Sequence, residues 1–404
     1  MKQWRQYRLI DILDKIIDYR GKTPQKTDSG IPLITAKIIK DGRILPPNEF
    51  IAESNYDQWM VRGIPHEGDV VLTVEAPLGE VAQLGNEKIA LAQRVVTLRG
   101  KEGVLDNTFL KYFLMSQVGQ ARLKARETGT TVTGIKQSEL REVLIDCPEY
   151  DKQVQIASIL RSIDNKIENN RQINDNLEQQ LQALYNEWFV ENPKSDWLSV
   201  NLSEIATFVS GYSYKGNELV ENSDTAMATI KNFERNGGFK IDGYKPIMPS
   251  PKLKVDQQTQ LFDILVAHTD LTQNAEVIGN AEILLSKDIY KDLIFSMDLV
   301  KVNAKESFPF QFLLALLLKN PRFKSHCIGY VNGTTVLHMN KRALPDYETI
   351  IPNLEDAQNI NATAKTIFCQ MSENLTEISN LTKMRDTLLP KLMSGELKIN
   401  EIDC

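Results

Sequence analysis

Two stretches of this sequence set several cations around a Gly-Thr-Thr turn, a combination suited to holding a phosphate oxygen. Arg122, Lys124 and Arg126 precede Gly129-Thr130-Thr131, and Lys136 follows it; Arg322 and Lys324 precede Gly333-Thr334-Thr335. Backbone N–H groups and hydroxyls can grip the oxygen at such a turn while Arg and Lys neutralise its charge. The competing reading is a solvated basic face on a short helix, followed by an ordinary β-turn. Recurrence of the two clusters as sets favours phosphate contact. His326, Cys327 and His338 lie close together, but an adjacent His-Cys with one distant His lacks the two ligand pairs of a zinc site. Glu75 and His268 fall at the ends of equivalent strands without matching chemistry, and are better read as base-reading loops, or simply as turns. There is no phosphate-cradling GxxxxGK[ST] loop and no GxGxxG after a strand. No Asn/Asp-Pro-Pro-aromatic string and no acidic–acidic–lysine constellation stands out. No catalytic residue and no metal ligand is assigned.

The elements that carry these residues occur twice. Gly129-Thr130-Thr131-Val132 recurs as Gly333-Thr334-Thr335-Val336, an offset of 204 residues that also relates Pro148 to Pro352. The same offset maps the run from Ala90 to Val96 onto that from Ile294 to Val300. Gly68-Asp69-Val70-Val71-Leu72 parallels Phe262-Asp263-Ile264-Leu265-Val266 at an offset of 194, and the run from Tyr7 parallels that from Val200 at 193. Each half opens with about 150 residues of short β-like runs punctuated by Gly, Pro, Asn and Asp. A short helix (108–122 and 310–323), a proline and one long periodic helix follow.

In the long helices a heptad reading places Ile156, Ile163, Asn170, Leu177 and Leu184 at d, and Leu160, Ile167, Asn174, Leu181 and Trp188 at a. Adding 204 gives Ile360, Ile367, Asn374, Leu381 and Leu388, with Ala364, Met371, Ile378, Arg385 and Leu392. Each seam needs a partner, and each helix is the other's nearest candidate, as an antiparallel rod of about 50 Å. The pairing interface is expected at Ile163, Ile167, Asn174, Leu177 and Leu181 against Ile367, Met371, Asn374, Ile378 and Leu381. Asn174 would meet Asn374 in one layer, although both could instead face water on a frayed seam. Asp151 and Asn353 are plausible N-caps; Glu191-Asn192-Pro193 and Ser394-Gly395 supply the stops.

Composition bounds the rest. The chain has 404 residues, 42% hydrophobic and 25% charged, the balance of a globular protein of two or three domains. No apolar run approaches the roughly 18–20 residues of a membrane span, the opening Met1-Lys-Gln-Trp-Arg lacks a secretion signal's apolar core, and the four cysteines are scattered. A cytoplasmic setting is expected. The net charge of −6 sits awkwardly with stand-alone nucleic-acid binding. Local basic patches, or a partner that supplies phosphate contacts, would resolve this.

The layout and several strings resemble the specificity subunits of type I restriction–modification enzymes. Gly21-Lys22-Thr23-Pro24 with Ile31-Pro32 is similar to the start of a target-recognition domain in that family. Gly129 to Val132, with Leu140 and Pro148, resembles the run into the first conserved helix, and 153–163 (QVQIASILRSI) its opening. The run from Ala183 through Trp188 to Val190 resembles that region's close, and the one from Leu388 to Leu397 the C-terminal signature. The second unit departs with Gly211-Tyr212-Ser213-Tyr214 in place of Gly-Lys-Thr-Pro. The resemblance implies an α+β fold: two β-rich target-recognition domains in pseudo-two-fold arrangement, separated by an antiparallel two-helix coiled coil. The boundaries would be 1–149 and 193–352 for the domains, 150–192 and 353–404 for the helices.

It further implies a non-catalytic subunit that reads a bipartite sequence in double-stranded DNA and docks methyltransferase and restriction/translocase subunits. S-adenosylmethionine, ATP and Mg are expected on those partners, none on this chain. Base readout needs Arg or Lys for guanine and Asn or Gln for adenine. Arg20, Lys22, Lys37, Lys40 and Arg43 in the first unit, and Lys215, Lys231, Arg235 and Lys240 in the second, join the two turn clusters as DNA-binding candidates. The alternative is a coiled-coil protein–protein scaffold without DNA specificity, which would self-associate without nucleic acid.

Overall fold

A run of β-branched and apolar residues with no polar alternation suits a strand covered on both faces. Val70–Val74 (VVLTV) is such a strand, buried throughout. The computed structural model describes residues 4–129, 133–272, 274–333 and 336–397. These fall into two units, one within Met1–Lys166 and Leu381–Cys404, the other within Ile167–Asn380. The division falls inside both long helices, so each unit owns part of each helix in addition to its β-rich part.

In the first unit an antiparallel sheet has the order Leu13–Asp18, Val95–Gly100, Val70–Val74, Leu78–Gln83. Val70, Leu72 and Val74 face a core with Phe109, Leu110 and Phe113 of helix Asn107–Met115. Val71 faces a second core with Leu33, Ile34, Ala90 and Val95. Ile31–Ile34 lies parallel to Ala90–Leu91, with Leu33 opposite Ala90, and Arg5–Arg8 pairs with Leu144–Cys147.

The second unit repeats this plan. Its sheet runs Ala206–Ser210, Leu299–Ala304, Ile264–Ala267, Ala281–Ile283. Ile264 and Val266 face one core while Leu265 and Ala267 face the other. Registers agree as well. Leu98 opposite Val70 becomes Val302 opposite Ile264, and Leu33 opposite Ala90 becomes Met227 opposite Ile294. The offsets of 194 and 204 therefore hold in backbone pairing.

Each short helix expected over 108–122 and 310–323 is in fact two helices. Asn107–Met115 is followed by Gln117–Lys124, and Gln311–Leu318 by Pro321–Ile328. The residues at the breaks, Ser116 and Asn320, are extended and cap the next helix. Ser116 accepts from the Gly119 N–H and Asn320 from those of Arg322 and Phe323. Capping competes with helix continuation at such residues.

The long helices run Tyr150–Asn186 and Leu354–Met393. Asn353 caps the second by accepting the Asp356 N–H at 2.9 Å. Asp151 does not cap the first. That helix already begins at Tyr150, with the Glu149 carbonyl accepting from Lys152 and Gln153, so Asp151 is a first-turn carboxylate placed favourably against the helix dipole. In the second unit the helices are antiparallel: Asn170 Nδ2 donates to Glu377 at 2.7 Å, and Asn374 Nδ2 to Asn174 Oδ1 at 2.8 Å. Ile163, Ile167, Leu181, Met371 and Asn374 are buried, whereas Asn174, Leu177, Ile367, Ile378 and Leu381 are half-buried. The expected continuation through Leu184 and Trp188 shifts by one residue, and Tyr185 and Phe189 take the buried places. A straight helix drifts against a strict heptad, and a π-turn over Glu187–Glu191 ends the helix there. No described helix is long and apolar enough to cross a membrane.

The first unit's helix pair carries a polar cluster. Lys111 Nζ and the Tyr112 hydroxyl donate to Asp164 Oδ2 at 3.1 and 2.7 Å, and Arg385 Nη1 donates to Oδ1 at 3.2 Å. Burial works against the Asp164 carboxylate, but Lys111, the Tyr112 hydroxyl and Arg385 outweigh it and hold its pKa below the ordinary range. A carboxylate so held stabilises the fold above its unfolded pKa of roughly 3.9. That contribution disappears as pH falls through the folded value. Asp164→Asn should lower the urea midpoint at pH 7 by the equivalent of about 3 kcal/mol, and should flatten its decline below about pH 4. Identical pH profiles for the two proteins would exclude Asp164 as the source.

Candidate nucleic-acid interface

Several of the cations singled out in the sequence are held by the fold itself. Arg122 spans from helix Gln117–Lys124 to strand Leu144–Cys147, donating to the Leu144 carbonyl at 2.7 Å and to Asp146 at 2.6 Å. Its guanidinium also lies 5.6 Å from the Phe113 ring centre. Arg126 pairs with Glu139 at 2.9 Å, and Lys124 is exposed. Lys37 and Lys40 are exposed beside Glu49 and Asp41, and Arg43 is half-buried on the hairpin Ile39–Lys40/Arg43–Ile44.

A different group in the first unit forms a concave site. Asp18, Arg20, Arg62, Lys136 and Gln137 line a recess at the end of strand Leu13–Asp18. Arg20 binds Asp18 and donates to the Ile135 carbonyl at 2.6 Å, which ties the recess to the segment after Gly129. Arg62 Nη1 donates to the carbonyls of Asp18 and Arg20 at 3.0 and 2.8 Å, and the Arg62 N–H donates to the Tyr19 hydroxyl at 2.9 Å. Burial raises the pKa of that hydroxyl. Three cations face one carboxylate, so the recess attracts an anion. Lys22 is exposed but is not part of the lining. Arg62 carries no signal in the sequence: it stands alone between Val61 and Gly63, and only folding brings it to Arg20.

In the second unit, Arg235, Lys240 and Lys324 gather around one loop, but acids answer them. Arg235 sits 3.1 Å from Glu276 and Lys240 3.9 Å from Glu234. Lys324 Nζ donates to the carbonyls of Glu276 and Arg235 at 2.7 and 3.2 Å; burial lowers its pKa. The adjoining cleft adds Asp175, Glu178 and Glu282 to its lining. Burial works against the Lys319 cation, but Glu282 and Glu178 outweigh it and keep it protonated. With Glu234 the lining sets four carboxylates against the cations of Arg235, Lys319 and Lys324, which leaves no excess of positive charge to hold a phosphate. Lys215, Lys231 and Arg322 are exposed elsewhere.

At the repeated turns, Gly129 and Gly333 adopt φ of 109° and 121°, a region that favours residues without a β-carbon. A β-carbon on Gly333 would collide with the Val336 carbonyl. Thr130, Thr131, Thr334 and Thr335 lie outside the described residues. Near the second turn are His268, His338 and Lys341. Burial, then proximity to His338 and Lys341, lower the pKa of His268 against the pull of Asp298. The offset of 204 carries Gln137 to Lys341, a signal that could have marked Lys341. His326 binds the Ala343 carbonyl at 2.8 Å and packs on Tyr330 and Tyr347, while Cys327 is buried. Among the described residues no His, Cys, Asp or Glu group is arranged to hold a metal ion.

A duplicated β-rich unit, with loops of differing chemistry on matching backbones and a share in two long helices, is the build of a recognition protein. Residues 1–179 match the sequence model of the type I restriction modification DNA specificity domain. The first part of the chain is thus similar to the DNA specificity domain of type I restriction–modification systems, and the similarity to curated specificity subunits extends further along it. The chain is 25% identical over 371 residues to the MjaIX specificity subunit of Methanocaldococcus jannaschii, covering 87% of this chain and 82% of that protein. It is 25% identical over 361 residues to the HindI specificity subunit of Haemophilus influenzae, covering 73% and 76%. The crystal structure of a type I restriction-modification S subunit from M. genitalium shares the fold, with a TM-score of 0.61 at 16% identity over 96% of each chain.

Because Arg122 holds a helix to a strand, Arg122→Ala should cost about 1.5–3 kcal/mol, the range for charge-assisted hydrogen bonds, measured by urea unfolding. Lys124→Ala should leave the midpoint unchanged. Equal effects would show that Arg122 is no more a structural residue than its neighbour.

Proposed function

We propose that this chain is the DNA-reading subunit of a type I restriction–modification complex, with each unit reading one half of a bipartite site. The observation that carries this reading is the duplication itself: two backbones agree in strand order and register while their loop chemistry diverges. Two readers with one architecture and different side chains suit a site of two unlike halves. The recess at Asp18, Arg20, Arg62, Lys136 and Gln137 offers both charge and hydrogen-bonding groups to a duplex. Methyltransferase subunits would supply S-adenosylmethionine chemistry, and restriction/translocase subunits ATP and Mg. The overall charge of −6 fits a reader whose partners contribute part of the phosphate contact.

The test uses the chain assembled with its methyltransferase subunits, in gel shifts and methylation assays on defined duplexes. A sequence preference that weakens steeply with salt is expected; indifference to sequence would sink the proposal. Replacing residues 1–148 by the corresponding unit of another specificity subunit should change one half-site only. A change in both halves would refute the modular assignment. The double substitution Arg62→Ala with Lys136→Ala should weaken binding to all sequences alike and reduce the salt slope by about 0.9 for each phosphate that is no longer neutralised. An unchanged slope would show that the recess does not hold a phosphate.

A further inference from the structure

Beside each repeated turn, the two units set three residues across a narrow β-ribbon. In the second unit His338 lies opposite Thr269 on one side and Asn332 on the other. In the first, Gly134 lies opposite Glu75 and Thr128. The offsets found in the sequence carry Glu75 to Thr269, Gly134 to His338 and Thr128 to Asn332. Even the neighbouring hydrogen bond is kept: Ile135 N–H to the Val74 carbonyl, and Met339 N–H to that of His268, both 2.9 Å. The two rows are thus one piece of backbone used twice.

Their side chains are not kept. At core positions of the central sheet strands the repeat preserves chemistry, as in Val70 and Ile264, Leu72 and Val266, or Leu98 and Val302. Across the rows a carboxylate becomes a hydroxyl, a bare glycine becomes an imidazole, and a hydroxyl becomes a carboxamide. Residues directly opposite on neighbouring strands share a face, so each row presents its own pattern of donors and acceptors. In the second unit His338 and Asn332 are exposed, and the Thr269 hydroxyl meets His338 Nδ1 at 3.2 Å. That contact orients the ring and leaves Nε2 for an external partner. In the first unit Glu75 keeps more than a third of its side-chain surface exposed, 3.7 Å from Arg94, and Gly134 leaves room for close approach.

Resting on the DNA-reading function proposed above, we infer that these two rows read base edges and set part of each half-site's sequence. A β-ribbon fits the major groove, a carboxamide pairs with adenine N6 and N7, and a carboxylate accepts from cytosine N4. Asn332 and His338 are the readers in the second unit. Glu75 and Thr128 are those in the first.

The experiment selects duplexes from a library randomised in both half-sites, using the chain assembled with its methyltransferase subunits. Asn332→Asp should alter the base preferred at one position of one half-site, with roughly 5- to 150-fold loss for the original base pair, and leave the other half-site untouched. Glu75→Gln should do the same in the opposite half-site. Salt slopes and melting temperatures should stay as in the parent, because neither change removes a cation or a buried group. Uniform weakening over all sequences, or unchanged selectivity at every position, would overturn the inference while the parent's own preference leaves the DNA-reading function standing. A parent complex with no sequence preference would overturn both.

Discussion

Two helices of 37 and 40 residues can slip past each other by a turn unless something penalises the wrong register. Apolar side chains do this poorly, since one leucine neighbour replaces another with little loss. Buried polar groups do it well, because a displaced donor or acceptor is left without its partner at a cost of about 1–3 kcal/mol. In the second unit the hydrogen bond between Asn174 and Asn374 plays that part, with Asn170 and Glu377 one turn away. In the first unit it falls to Asp164, which needs Lys111, Tyr112 and Arg385 together. Each unit packs segments of both helices into its own core, so the register of the pair bears on how each core is filled.

The duplication is broken at this point. The positions that correspond to Asp164, Lys111, Tyr112 and Arg385 are Phe368, Ala315, Leu316 and Leu181, all buried in one apolar core. The backbone plan is shared, yet one version is satisfied by charge and the other by dispersion and exclusion of water. A helix segment carrying Asp164 would find only hydrocarbon in the second setting, an unpaired charge whose burial is costly. Each unit therefore accepts its own helix segments and rejects the other's.

Much of this architecture could be read in the sequence because it rests on periodicity. The strands Val70–Val74 and Ile264–Ala267, and the starts of both long helices, sit where apolar runs and prolines put them. The break at Ser116 is hidden, since a capping side chain looks like any other polar residue in a helical run, whereas Pro321 marks the one at Asn320 by disfavouring helical backbone in the residue before it. The interface was less legible still. Arg122 and Arg126 have the composition of a phosphate clamp, but Asp146 and Glu139 reach them only through the fold. Arg62 and the rows at Gly134 and His338 depend on pairing between segments far apart in sequence. Local composition names the cations; tertiary pairing decides which remain available.

That decision bears on how such a chain can bind DNA. Phosphate contacts give affinity and position but no sequence information, whereas base edges give discrimination through short hydrogen bonds. Here Arg20, Arg122, Arg126, Arg235 and Lys324 are held by the fold itself, and the net charge is negative. The long-range attraction that would hold the chain to any duplex is therefore modest. What the loops retain is hydrogen-bonding capacity of different kinds on identical ribbons. A weak general grip with strong local discrimination raises the ratio of specific to non-specific binding, the quantity that matters when a single site competes with a genome. Such a balance suits a reader whose hold on the backbone is completed by other subunits.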